Sequence, residues 1–196
     1  MTRSMVTLRE AEAGDVLFLA ELWESSLRRA DHQDQVADLE QVVKSAGGST
    51  EQRIVVAEYD GRPAGAVLLR ITTVTPLNLD PVVQVLSPVV LPEFRRHGVG
   101  RLLMDAALAY AEDNGVTQVS TAAAAGSRDS NRFLARLAFA PLLTYRVAPT
   151  VSVRARLAAQ RPVVAPTAAG GRQLGRVLAA RRSQRRALGA QPPTAP

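Results

Sequence analysis

The chain contains no cysteine, which removes disulfides, thiolate nucleophiles and cysteine-ligated zinc together. Its two histidines, His32 and His97, are too few for a typical zinc site, so no metal is expected. Lys44 is the only lysine among 24 basic residues, and the phosphate-binding loop Gly-x-x-x-x-Gly-Lys-Ser/Thr is absent. Aromatic residues make up 4 % of the sequence, too few for a nucleic-acid surface built on base stacking, although a basic end keeps that reading open. No apolar run reaches transmembrane length, and Arg9, Glu10, Glu12 and Asp15 arrive where a signal peptide would be apolar. A cytoplasmic protein without a transmembrane segment is the expectation.

Acid is missing from one end. Residues 1–129 hold 12 basic and 18 acidic side chains, a net −6, whereas residues 130–196 hold 12 arginines and no acid, a net +12. An acidic body is followed by a basic end, and such asymmetry points to an anionic partner for that end. With 196 residues, 46 % of them hydrophobic, one folded domain over residues 1–157 and an Arg/Ala/Pro-rich tail over residues 158–196 are expected.

Val6 and Leu8 alternate with polar residues as in a short strand. Val16, Leu19, Trp23 and Leu27 recur at helical spacing, and Val36, Leu39 and Val43 do so over residues 34–45, ended by Gly47 and Gly48. Residues 53–58 and 64–73 are β-branched and apolar around Asp60-Gly61, a hairpin signature. Residues 75–81 read as a loop, because Pro76, Asn78, Asp80 and Pro81 crowd together. Residues 82–90 form the next strand, in which Pro88 predicts a bulge or a break in pairing near residues 87–89.

A basic loop over residues 91–98 then opens a helix over residues 99–114 that Gly115 stops, followed by a strand over residues 116–121. Ser127 or Asp129 caps a helix carrying Phe133, Leu134 and Leu137, and residues 142–147 form a last strand. Residues 151–157 suit strand or helix. From Pro162 onward Ala, Gly, Pro and Arg dominate without an aromatic residue, as in a tail.

The stretch Leu91-Pro-Glu-Phe-Arg-Arg-His-Gly-Val-Gly-Arg101 carries the chemistry. A strand enters a loop with two glycines that opens directly into a helix, whose first N–H groups lack internal partners and face outward at the positive end of the helix dipole. That is an anion site suited to a pyrophosphate. Gly98 and Gly100 permit close backbone approach, and Arg95, Arg96, His97 and Arg101 add positive charge. A dinucleotide fingerprint would need a third glycine where Leu103 stands.

Arg95-Arg-His-Gly98-Val-Gly100 resembles, at every fixed position, the Gln/Arg-x-x-Gly-x-Gly/Ala loop of the GNAT superfamily of N-acetyltransferases. The order of elements over residues 5–147 is similar as well. The resemblance implies an α/β fold: a central, mixed, mostly antiparallel sheet of six to seven strands, splayed at the fourth and fifth, flanked by about four helices. It implies acetyl-coenzyme A as co-substrate. The pyrophosphate would lie on residues 97–101, with Val99 among them. The pantetheine arm would pair with Val89, Val90 and Leu91, and Asn131 would reach it from the other wall.

The same resemblance marks two departures. Gln84 stands where many members carry a glutamate base, and Leu134 where many carry a tyrosine acid; Ala138 replaces the usual glycine before Phe139. Tyr145, Ser87 with a water, and Glu24 are the remaining candidates for proton transfer. The acceptor would be the amine of a small molecule or of a protein, and a homodimer is compatible. The rival reading is a module that binds acetyl-coenzyme A without turning it over, as a sensor or scaffold.

Overall fold

The edge strand alternates apolar and polar residues, the central strands carry continuous apolar runs because both their faces are covered, and the turns decide how the strands join. A computed structural model describes residues 5–123 and 126–160. Strand β1 (Val6–Glu10) pairs antiparallel with β2 (Gln52–Tyr59). Between them lie helix α1 (Val16–Leu22), a 3-10 turn (Glu24–Ser26) and helix α2 (His32–Gly47). The Asp31 carboxylate caps α2 by accepting the Asp34 N–H at 2.9 Å.

Strand β2 joins β3 (Arg62–Thr75) through Asp60 and Gly61, whose φ values of 49° and 75° give the twist that a two-residue hairpin requires. Strand β4 (Asn78–Val90) runs antiparallel to β3, and helix α3 (Val99–Asp113) leads to β5 (Val119–Thr121), which pairs parallel to β4. Sheet order is β1-β2-β3-β4-β5. Helix α4 (Arg128–Arg136) follows β5 with Ser127 as its cap, and α5 (Thr150–Ala159) lies further on.

Two apolar layers cover the sheet. Val55, Val67, Leu69, Val83 and Val85 face Leu103, Met104 and Tyr110 of α3, while Ile54, Val56 and Ala66 face Leu19, Trp23, Leu39 and Val43 of α1 and α2. Leu19, Leu69 and Leu103 are fully buried, a burial that favours folding by about 2 kcal/mol for each side chain.

A polar tie closes one edge of the sheet. Arg9 donates to both carboxylate oxygens of Asp15 at 2.6 and 2.7 Å and to Glu58 at 2.6 Å, and the Glu12 N–H donates to Asp15 at 2.8 Å. The hydrogen bonds from Arg9 hold the nearly buried Asp15 carboxyl below the usual carboxylate range, against the opposing effect of burial.

The chain divides into two compact units, Met1–Ala140 and Pro141–Pro196. The sheet and α1–α4 belong to the first, α5 to the second. Among the described residues no helix is long and apolar enough to cross a membrane.

Several expectations need correction. The sheet has five strands among the described residues, not six to seven, and five α-helices, not four. Residues 142–147 form no strand: alternation supplies a pattern of faces, but a strand also needs a neighbour to bond, and none of the described strands pairs there. Residues 150–159 resolve the open strand-or-helix choice as α5. Residues 78–81 belong to β4, because Thr75 pairs with Asn78 and leaves only Pro76 and Leu77 as the turn. Pro81 is tolerated there since β5 pairs only with residues 83–85, so its missing N–H removes no bond to that neighbour. The arginine-rich segment from residue 161 onward lies outside the described residues.

Candidate functional site

Strand β4 changes character midway. Val83, Gln84 and Val85 pair with β3 on one side and with β5 on the other. The β5 pairing ends at Val85, whereas β4 runs on to Val90, so the last third of β4 has a strand on one side only. The expected break occurs in that stretch. Ala66 pairs with Val89 and Leu68 with Leu86, leaving Ser87 and Pro88 together opposite Val67. Ser87 takes a φ of 45°, in the left-handed region that a residue with a side chain rarely adopts.

Beyond the bulge the ladder resumes, and the Leu91 N–H donates to the Ala64 carbonyl at 2.9 Å. Antiparallel pairing alternates, so if Leu91 and Val89 bond toward β3, Val90 directs its N–H and C=O away from it. The Val90 carbonyl accordingly receives the Arg95 Nε–H, at 3.4 Å. Close packing holds this stretch from behind: a Cβ on the buried Gly65 would lie 2.6 Å from the Val89 carbonyl oxygen and 3.2 Å from the Val90 Cα.

After a 3-10 turn (Pro92–Phe94) the chain enters the basic loop. Phe94 is buried against Tyr59, and the His97 ring meets the edge of the same tyrosine at 5.0 Å between centroids. His97 Nδ1 lies 2.8 Å from the Arg95 carbonyl; a carbonyl only accepts, so Nδ1 donates in that bond. Arg96 and Gly98 adopt φ of 69° and 88°, which turns the loop into α3.

Gly98 is the N-cap of α3, and its carbonyl accepts from the Arg101 and Leu102 amides at 3.0 and 3.1 Å. Among the described residues the amides of His97, Gly98, Val99 and Gly100 donate to no backbone carbonyl, as the first turn of a helix requires. A Cβ on Gly98 would meet nothing within 4 Å, so there is open space at the N-cap of α3. On Gly100 it would sit 3.8 Å from Val90 and 4.0 Å from the Phe133 ring, which brings α4 beside the start of α3 and the end of β4. Free donors, a helix dipole, two arginines in the loop and an open approach make an anion cradle.

The residues expected at the site fall into groups. Val89, Val90, Leu91, Arg95, Arg96, His97, Gly98, Val99, Gly100 and Arg101 line one continuous turn of chain from β4 into α3. Asn131 lies on α4, where its amide donates to the Ser127 carbonyl at 2.8 Å. Ser87 is in the bulge, its hydroxyl donating to the Ser26 hydroxyl at 3.2 Å, and Glu24 is exposed on the turn that carries Ser26. Tyr145 belongs to the second unit and is 78 % exposed.

Alternation puts Gln84 opposite in direction to the buried Val83 and Val85, on the sheet face that α1 and α2 cover. Leu134 is half-buried in α4. A cavity of about 330 Å³ lies among Arg101, Leu108, Val119, Leu137 and Phe139, and so shares Arg101 with the start of α3.

The sequence alone did not reveal what holds the bulge. The Trp23 indole N–H donates to the Ser87 carbonyl at 2.9 Å across 64 positions of sequence. Helical spacing marked Trp23 only as a core residue.

Residues 16–139 match the profile of the Acetyltransferase (GNAT) family. Solved structures share the fold. A transcriptional regulator from Bacillus halodurans C-125 superposes with a TM-score of 0.63 at 17 % identity, over 74 % of this chain and 99 % of its own. An aminoglycoside N-acetyltransferase in complex with CoA gives 0.61 at 20 % identity, over 76 % of this chain and 99 % of its own. A ribosomal-protein-alanine N-acetyltransferase from Brucella melitensis biovar Abortus 2308 gives 0.57 at 19 % identity, over 74 % and 99 %. No curated protein sequence matches the chain.

Proposed function

Because the chain belongs to the acetyltransferase (GNAT) family, we propose that it transfers an acetyl group from acetyl-coenzyme A to a primary amine. The observation that carries this reading is the open cradle of unpaired amides over residues 97–100, continuous with a strand end that has backbone groups to spare. The diphosphate of coenzyme A fits that cradle, with Arg95, Arg96 and Arg101 around it. Its pantetheine amides would bond the outward-facing backbone near Val90. The CoA complex of the aminoglycoside N-acetyltransferase supports the choice of cofactor.

The amine nitrogen attacks the thioester carbonyl, the carbon–sulfur bond breaks, and the thiolate leaves and takes up a proton. The Val90 N–H is the donor we assign to the carbonyl oxygen as it gains charge. Nitrogen must first be neutral. Gln84 cannot accept a proton from it, because an amide nitrogen has no basic lone pair. Glu24, exposed beside the Ser26–Ser87 contact, is the carboxylate we assign to draw that proton through water, with Ser87 in the path.

A weak base favours acceptors that lose their proton readily. At pH 7 neutralising a lysine-like amine of pKa about 10.4 costs about 4.6 kcal/mol, against about 1 kcal/mol for an α-amino group near 7.8. We therefore assign preference to an amine of lowered pKa, either a protein α-amino group or one amine of a polycationic small molecule. The test is a pH profile of kcat/KM at subsaturating acceptor. The rate should climb until the acceptor's own pKa; a plateau near pH 6 to 7 would reveal an efficient base and contradict the assignment.

Gln84 and Leu134 also favour a second reading, a module that binds acetyl-coenzyme A and has lost turnover. Release of free thiol above background with any amine acceptor excludes it.

A further inference from the structure

The bulge in β4 is strained, yet it is held from one direction by a single neighbouring element. Ser87 and Pro88 stand together opposite Val67, and Pro88 has no N–H to offer. The Ser87 carbonyl receives the indole N–H of Trp23, the C-cap residue of α1, at 2.9 Å. Its hydroxyl donates to Ser26, on the turn that follows, at 3.2 Å. Both bonds therefore come from the segment that enters and forms the 3-10 turn after α1. Trp23 is 4 % exposed, so its ring is fixed by the core around Leu19, Leu39 and Val43, and its N–H is a rigid donor.

Three residues beyond Ser87 is Val90. A bulge is where a strand can rotate, and any rotation about residues 87 and 88 turns the amides that follow. Gly65 fixes how near that backbone comes to β3, since its missing Cβ leaves room for Val89 and Val90. The indole bond fixes the rotation.

We propose that Trp23 is a positioning residue: its indole N–H, with the Ser26–Ser87 hydroxyl pair, sets the bulge that aims the Val90 N–H, and so governs turnover more than the hold on the cofactor, whose diphosphate would lie on the cradle. This rests on the acetyl-transfer reading. The cradle over residues 97–100 makes no hydrogen bond to Trp23, Ser26 or Ser87, so the hold on the diphosphate does not depend on the clamp. The turn carrying Glu24 and Ser26 is also exposed, so an acceptor bound against it presses on the same clamp.

Trp23→Phe keeps a buried aromatic ring and removes the donor together with part of the ring volume. In the full-length protein kcat should fall about tenfold to a hundredfold while KM for acetyl-coenzyme A, held chiefly by the cradle, changes by no more than about fivefold. Ser26→Ala, at an exposed position, should lower kcat about threefold in the same manner. Either variant folded with unchanged kcat would overturn the proposal, as would kcat and KM failing in step with a fall in Tm.

Trp23 is the only tryptophan, so the wild-type protein also gives one indole N–H signal in a nitrogen-proton correlation spectrum. Titrating acetyl-coenzyme A should move that signal together with the amides of residues 97–100. Movement of the loop amides alone contradicts the clamp and leaves the acetyl-transfer reading intact. Movement of neither shows that the cofactor does not bind, and both readings fall.

Discussion

The two halves of β4 use similar residues to opposite ends. Val83 and Val85 are fully buried, paired on both sides, and pressed against α3. Ser87 to Val90 are half-buried, paired on one side, and interrupted by a positive φ and a proline. Regular pairing on both edges satisfies every backbone group and leaves none for a ligand. Losing one neighbour frees backbone groups, and the site we propose lies where that loss occurs. On that proposal, stability and chemistry occupy adjacent residues of one strand and should respond to different mutations.

Leu69→Ala should act on the regular half alone. The side chain is fully buried against Val85 and Leu103, so the loss is about 3 kcal/mol, read as a fall in Tm or in denaturant midpoint. Acetyl-coenzyme A should still raise the Tm of the variant; loss of that response would mean that the halves are not independent.

The polar tie at the far edge of the sheet comes next. Asp15→Ala leaves Arg9 and the Glu12 amide short of an acceptor, which should lower stability by about 2 kcal/mol. Since the native Asp15 carboxyl lies below its unfolded value, its contribution is present above the usual carboxylate pKa and fades as pH falls through the native one. Denaturant melts of wild type and variant should therefore converge in strong acid. A constant difference down to the lowest pH would place the effect elsewhere.

A smaller gain is expected where α4 ends. Ala138 holds φ of 64°, so Ala138→Gly should stabilise the fold by about 1 kcal/mol, measured as a rise in Tm. A loss of stability would show that the methyl packs more than it strains.

Local chemistry made much of this legible in advance. Asp60-Gly61 announced its hairpin, Pro88 announced the break in β4, and Gly115 with Ser127 marked the end of one helix and the start of another. Features that depend on distant partners were not legible. Residues 142–147 alternate as a strand does, but periodicity does not say whether an edge is there to receive them. Pro76 does lie in the turn, but Pro81 looked like part of the same loop because a proline is tolerated in a strand only when its neighbour stops short, a fact that belongs to β5. The Arg9–Asp15–Glu58 tie and the Trp23–Ser87 bond join residues 49 and 64 positions apart at their longest, and no spacing encodes them.

The central claim is that the cradle opening α3 holds the pyrophosphate of acetyl-coenzyme A. Calorimetric titration of the cofactor into wild type and Gly98→Asp tests it directly, with circular dichroism to check that the variant is folded. Gly98 has open space at its Cβ, so an aspartate there meets no clash and puts a negative charge at the N-cap of α3, although its φ of 88° adds strain. The account predicts saturable binding by the wild type and affinity at least about a hundredfold weaker in the folded variant, which corresponds to about 2.7 kcal/mol. Equal affinity in the two proteins would contradict it.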